Sequence, residues 1–432
     1  MNRITTIIGA GAPLDFDYES VKIMRPSTYN ITKEIINNYD LIDVENINKT
    51  KTSDLVKEIY DCLEKQYPVI ENWKEEDDNK ETIINFEMIF HVLESLYAYG
   101  SVWSKTCKNP SIYPIFAPFI KPSIIFDKND IRQILDIFTI RIMDIINSYN
   151  KYFAKEKENK EKWYYKFFSR KKVIWDIFNL NYDTTIETCI NNYKDGFERL
   201  DDENFMKFNP KILWDSETST INHLHGCINY YFDSYKDINK DIFNSGFYDL
   251  YKYNSYDKVR GMILGRGRSY PSNQTGESYY PSPIITGLRK TDKVTNFPLG
   301  FYYGNLLKSI INNNVLVIIG YSFGDLYINS LLEKMNTLHG DSARIVIIDF
   351  WNKNKIKKQG LEHYFGYCLP NEELRFILKI SNEKNASGLN KNLNCSSNKA
   401  YMMSNNNKLM LFINGFKKAS KYANKIFDFM NS

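Results

Sequence analysis

The sequence predicts an α/β fold built on a parallel sheet flanked by helices. Three segments far apart in the chain predict it: Ile4 to Pro13 (ITTIIGAGAP), Val173 to Asp183 (VIWDIFNLNYD) and Val315 to Asp325 (VLVIIGYSFGD). Each runs from apolar, β-branched residues into small or polar ones where the chain must turn. Near-continuous apolar strands of this kind are buried on both faces, as in parallel sheets. Ala343 to Phe350 (ARIVIIDF) adds another such strand, ending in Asp349. Alternation of strand, turn and helix makes crossover units, so the expected class is a Rossmann-like sheet. Its ligands would bind at the carboxyl ends of the strands.

The elements follow in order. Ile4 to Ile8 is a strand, and Gly9-Ala10-Gly11-Ala12-Pro13 is the turn after it. Residues 31–170 read as a helical insertion. Within it Phe86, Ile89, Phe90, Leu93, Leu96 and Tyr97, and later Ile131, Ile134, Leu135, Phe138, Ile142, Ile145, Ile146 and Tyr149, recur at three- and four-residue steps. Pro110 to Pro122, with four prolines, must connect helices. Thr184 and Glu187 have capping-box spacing, which predicts a helix just after Asp183. Ile221 to Ile228 is a short strand carrying His223 and His225. Residues 229–283, rich in Tyr, Gly, Ser and Asn, read as a loop or small lobe over the site. A helix is expected at Phe301 to Ile311 and another at Leu326 to Met335. Residues 381–408 read as a polar linker, and a terminal amphipathic helix follows from Phe412 to Met430. The Rossmann-like core is therefore expected in 1–30 plus 171–380, with 381–432 a linker and helical tail.

Composition narrows the function classes. The chain has 432 residues, 43% of them hydrophobic, which supports a substantial core. The net charge of +4 gives no polyanion-binding surface, so direct nucleic-acid binding is not indicated. The run Lys155 to Lys172 is a local exception. Six cysteines, at 62, 107, 189, 227, 368 and 395, include no C-x-x-C pair, so no zinc ribbon or dithiol motif is visible and no metal is expected. No apolar run approaches the ~18–20 residues that cross a bilayer. With no signal segment before the first strand, the expectation is a reduced, cytoplasmic protein.

Several residues carry candidate chemistry. Gly9, Ala10 and Gly11 would let the backbone approach a pyrophosphate, although Leu14 stands where a dinucleotide fingerprint wants a third glycine. A tight turn explains the same glycines. Asn181 and Asp183, at a strand end, suit ribose hydroxyls or a water; both also suit an ordinary turn. His225 precedes Gly226 and is the side chain suited to proton transfer near neutrality. Gly320-Tyr321-Ser322-Phe323-Gly324 matches the G-x-S-x-G elbow of α/β-hydrolases, with Asp349 and His363 following in the order such enzymes use. That serine-esterase reading leaves Gly9, Gly11, Asn181, Asp183 and His225 without roles. The other reading makes Gly320 and Ser322 a nucleotide-binding turn, with Asp325 and Asn329 holding the loop and Asp349 accepting a ribose hydroxyl. The convergence points to a nucleotide, and to NAD.

Taken together, these segments resemble the sirtuin-like family, specifically its zinc-less bacterial branch of antiphage defence. Gly9-Ala10-Gly11-Ala12 looks like the family's phosphate loop, and Asp15-Phe16 resembles its Asp-Phe step. Leu180-Asn181-Tyr182-Asp183 looks like the segment with the catalytic Asn. Leu224-His225-Gly226 resembles the catalytic His-Gly, and Gly320 to Asp325 the Gly-Tyr-Ser-x-x-Asp turn. Pro13 and Asp17 depart from the pattern, and the paired cysteines of deacylase zinc modules are absent. The resemblance implies NAD+ hydrolysis to ADP-ribose and nicotinamide, gated through a homo-oligomer or a partner such as a ring-forming ATPase. Catalytic roles would fall to Asn181, His225 and Asp183. Gly9, Ala10, Gly11, Ala12, Asp15, Phe16, Gly320, Ser322, Asp325 and Asp349 would bind the substrate. A non-catalytic NAD or ADP-ribose sensor and an NAD-dependent deacylase are the alternatives it leaves.

Overall fold

The computed structural model describes residues 2–37, 49–66, 84–100, 128–153, 162–170, 172–199, 205–214, 217–233, 249–264, 280, 282–287, 290, 299–395 and 400–432. The proline-rich connection at 110–122 and residues 155–161 and 171 of the Lys-rich run lie outside these residues. Among the described residues no helix is long and apolar enough to cross a membrane.

Among the described residues nine strands form one large, mostly parallel sheet. In chain order they are β1 (Asn2–Ile8), β2 (Val173–Asn179), β3 (Tyr193–Lys194), β6 (Ser219–His223), β9 (Val315–Ile319), β10 (Arg344–Ile348), β11 (Leu393–Cys395), β12 (Met402–Ser404) and β13 (Leu409–Phe412). Their spatial order is β11-β12-β13-β10-β9-β1-β2-β6-β3. The pairings from β13 through β3 are parallel; only β11-β12 and β12-β13 run antiparallel. β9 and β6 are buried along their whole length. Burial along the whole strand is what a parallel sheet covered on both faces requires.

A second, antiparallel sheet has the order β4-β5-β8-β7, from Phe197–Arg199, Phe205–Phe208, Asp249–Tyr253 and Tyr230–Asp233. The stretch expected to be a loop or small lobe thus supplies two strands of this sheet and a helix at Tyr256–Leu264. Tyr230, Tyr231, Tyr251 and Tyr253 are buried strand residues of it.

The periodic segments are helical. Phe86–Gly100 packs on Lys128–Phe153, and the apolar residues named above at both are buried, Ile145 partly so. The helix Leu299–Asn312 buries Leu299, Tyr302, Tyr303, Leu306 and Ile310 on one side. It also carries Ser309, which joins Asn313, Thr220 and Arg3 around the buried Asp176 carboxylate of β2.

Three expectations need correction. Residues 381–408 are not a linker: they hold a helix at Ala386–Asn392 and strands β11 and β12, and β13 follows. Phe412, read as the start of the terminal helix, ends β13, and the tail's helices begin at Phe416 and Ala423. The Asn-rich composition hid strands of only three residues. Nor does a helix follow Asp183. Only a single 3-10 turn forms at Ile186–Thr188, because Glu187 turns its carboxylate to His223 instead of capping.

Candidate functional site at the carboxyl edge of the sheet

β1, β2, β6, β9 and β10 are mutually parallel, so their carboxyl ends share one edge. The residues that follow them are, respectively, Gly9, Asn181, His225, Gly320 to Asp325, and Asp349. The chain runs from β1 outward through β2 to β6, then crosses to β9 on the other side of β1. That reversal is a topological switch point, where an open α/β sheet leaves a crevice.

The turns after β1 and β9 are pressed together. Gly9 N donates to Ile319 O at 2.9 Å, Gly11 N to Gly320 O at 2.8 Å and Ala12 N to Gly9 O at 3.0 Å. A Cβ on Gly9 would stand 2.5 Å from Gly320 O, and one on Gly320, at φ +58°, would stand 2.3 Å from Ala12 N. These glycines therefore serve a backbone-to-backbone joint. The N–H groups of Gly9, Gly11 and Ala12, expected to face a phosphate, are engaged within the protein. Ala12 is buried, while Ala10 is exposed.

Three expected residues share one bonded chain of contacts with the edge. Asn181 donates from Nδ2 to Gly9 O at 3.0 Å, which turns its side chain toward β1. Among the described residues its Oδ1 accepts no hydrogen bond. His225 sits in the turn after β6, where Gly226 takes φ +79° and a Cβ would meet Pro283 O at 2.1 Å. His225 Nε2 lies 3.4 Å from Asp325 Oδ2 and donates to it. Asp325 Oδ1 accepts from Tyr327 N and Ile328 N, capping the helix Leu326–Leu332. Tyr321 and Asn329 lock the same turn: Tyr321 Oη donates to Asn329 Oδ1 at 2.8 Å, and Asn329 Nδ2 donates to Phe323 O. Asp325 was expected to hold its loop and to bind substrate; in the structure it orients His225. The sequence carries no signal for that pairing, because 100 positions separate the two.

Charge follows from this burial. Burial and the nearby Lys290 hold the His225 imidazole below its usual range, against the pull of Asp325. Burial opposes ionisation of Asp325, but the His225 contact and the Ile328 N–H outweigh it and hold the carboxyl below its usual range. The result is a neutral imidazole whose Nε2–H is tied and whose Nδ1 has no partner among the described residues. Lys290, paired with Glu87 at 2.8 Å, is the cation beside this group that the sequence reading did not single out.

Other expected residues go elsewhere. Asp183 was expected to position Asn181 or His225; its oxygens instead accept from Tyr149 Oη at 2.8 Å and Thr185 N at 2.9 Å. Asp15 accepts from Lys417 N at 3.0 Å, fixing the start of the Phe416–Ala419 helix. Phe16 is buried among Tyr18, Phe153, Trp163 and Tyr164. These two serve the core and the tail. Asp349 stands at the end of β10 beside Trp351 and Glu373. Burial raises both carboxyls above their usual range, and the charge of Asp349 adds to the shift of Glu373.

The elbow geometry is not that of a serine nucleophile. A nucleophile elbow strains the serine itself, whereas Phe323 takes positive φ here and Ser322 does not. His363 is exposed with its ring tilted against Tyr367, and among the described residues no hydrogen bond joins it to Ser322 or Asp349. Neither a protein-family model nor a curated protein matches this chain.

Proposed function

We propose that the chain hydrolyses NAD+ to nicotinamide and ADP-ribose at this edge, as its resemblance to zinc-less sirtuin-like proteins implies. The observation that carries the reading is the His225–Asp325 contact. β6 and β9 are three strand spacings apart in the sheet, about 14 Å at ~4.8 Å each. Their loops nevertheless meet at 3.4 Å, with the turns bearing Gly9 and Asn181 between them. Apart from the two-residue edge strand β3, which also pairs parallel with β6, the parallel strands β6-β2-β1-β9-β10-β13 are third, second, first, fourth, fifth and sixth among themselves in chain order, an order that supports a dinucleotide-binding reading.

In this reading the bond from C1′ of the ribose to nicotinamide breaks, and nicotinamide leaves with the electron pair. Water adds at C1′, and its proton passes to His225 Nδ1, the free nitrogen of the Asp325-oriented ring. Asn181 Oδ1 accepts from the ribose hydroxyl or that water. Asp349 and Ser322 lie toward the adenosine end. The activity is gated, by self-association or by a partner protein of antiphage defence, because constant NAD hydrolysis would harm the cell.

The test is nicotinamide release from NAD+, followed by chromatography over a series of protein concentrations. Wild type should release it, and Asn181→Ala and His225→Ala should lose about 100-fold or more. Equal release by all three proteins would remove the assigned roles. Thermal stabilisation by NAD+ with no release at any concentration, and none with a partner protein supplied, would leave a sensor instead of an enzyme.

A further inference from the structure

A second cluster of reactive side chains lies behind the candidate site. His223 ends β6, Cys227 follows the turn beyond it, and Glu187 comes from the 3-10 turn at Ile186–Thr188. One ligand atom from each, a carboxylate oxygen, a ring nitrogen and a thiol sulfur, lies within 4.8 Å of the others. His223 and Cys227 are fully buried, and the Glu187 side chain is 9% exposed. We propose that Glu187, His223 and Cys227 hold one zinc-class divalent metal ion.

Three observations support it. First, the donor set is one nitrogen, one sulfur and one oxygen, a mixture that suits zinc. Tetrahedral zinc places such atoms roughly 3.3–3.7 Å apart, given bonds of about 2.0–2.3 Å, so small side-chain shifts would suffice. Second, Glu187 Oε2 is buried and makes no hydrogen bond. A carboxylate oxygen left unserved in a protein interior is costly, and a cation is the natural partner. Third, both ring nitrogens of His223 face acceptors: Nδ1 lies 3.3 Å from Asn181 O and Nε2 2.9 Å from Glu187 Oε1. One ring proton can serve only one of them. With a metal on Nε2, the proton on Nδ1 serves Asn181 O, the outer-shell bond that metal-bound histidines usually make. Charge also balances, since a carboxylate and a thiolate neutralise a dication. The ion would fasten the end of β6 to the 3-10 turn and, through His223, hold the backbone at Asn181.

A buried histidine–glutamate hydrogen bond beside an inert thiol is the competing account, and the experiment separates the two. Metal content of the purified full chain is measured by mass spectrometry after dialysis against Zn2+ and then metal-free buffer. Co2+ is titrated separately into chelator-treated protein. About one zinc per chain and a near-ultraviolet thiolate-to-Co2+ band support the site. Cys227→Ser should lose the band, and Zn2+ should raise the Tm of wild type and not of this variant. Wild type that retains no zinc and shows no Co2+ band, with Cys227 shown reduced by thiol titration, overturns the proposal. The wild-type readouts need no variant to fold and no NAD turnover, so they stand apart from the test of hydrolysis.

Discussion

Replacing Gly320 with alanine should damage the fold before it damages any ligand site. Two costs add. The residue sits at φ +58°, the left-handed region, where a side chain costs roughly 1–2 kcal/mol. The new Cβ would also stand 2.3 Å from Ala12 N and 2.4 Å from Gly11 C. Both are backbone atoms that cannot swing away, and relieving such overlap costs about 1–3 kcal/mol. The expected loss is therefore roughly 2–5 kcal/mol, a large share of the ~5–15 kcal/mol that holds a typical domain. Urea titration followed by tryptophan fluorescence, without ligand, would read it. Gly324→Ala is the control, because its Cβ meets only Ser322 Oγ at 3.6 Å. Gly9→Ala should be destabilising too, since its Cβ would meet Gly320 O at 2.5 Å. The double variant should then fall short of the sum, because one displacement relieves both overlaps. Gly9→Ala and Gly320→Ala proteins of wild-type stability with weakened nucleotide binding would refute the joint and restore a phosphate-binding loop.

Three further changes test the rest of the architecture. Asp325→Ala should lose a helix cap worth about 1 kcal/mol together with the His225 contact, whereas Asp325→Asn keeps a capping oxygen. Nicotinamide release should fall in both, and a full rate in Asp325→Ala would break the assigned link to His225. Glu373→Gln should stabilise the protein at pH 8. The folded carboxyl is raised, so its share of stability is complete below the ordinary glutamate range near ~4.3 and is lost as pH rises through the folded value. The gain over wild type in thermal melts should shrink toward pH 4; a gain that grows on acidification would reverse the sign and sink the argument. Asp176→Ala should cost on the order of 3 kcal/mol or more, since Ser309, Asn313, Thr220 and Arg3 all lose an acceptor. An unchanged urea midpoint would show that water replaces it.

What the sequence made legible was local. Val315–Ile319 is an unbroken apolar run, so its central position in the sheet could be read directly. The helices Phe86–Gly100 and Lys128–Phe153 declare themselves by period. Asn181 and His225 were visible because polar residues directly after such strands stand out. What stayed hidden depends on partners far along the chain. Asp15 looked like part of a nucleotide loop, but its partner Lys417 is 402 positions away. Glu187 had the spacing of a capping residue, and only the fold places it against His223. Gly9 and Gly11 looked like ligand glycines because small residues show that something comes close without showing what; it is Gly320.

That last ambiguity has a physical resolution. A glycine turn that cradles phosphate must leave its N–H groups pointing at empty space, while a turn that packs on another turn consumes them. Here the amides of Gly9, Gly11 and Ala12 end on carbonyls of Ile319, Gly320 and Gly9. The joint makes the β1 and β9 turns one rigid unit, and Asp325, four residues past Tyr321, is tied to it by its N–H donating to Tyr321 Oη at 3.2 Å. His225 is then held by a carboxylate whose other oxygen is fixed in a helix cap. Rotating that carboxylate to release the imidazole would sacrifice the cap as well. His225 is thus oriented by the same backbone joint that engages the loop amides. Through Asp325, the glycines of this joint matter to the candidate chemistry even with their amides engaged within the protein.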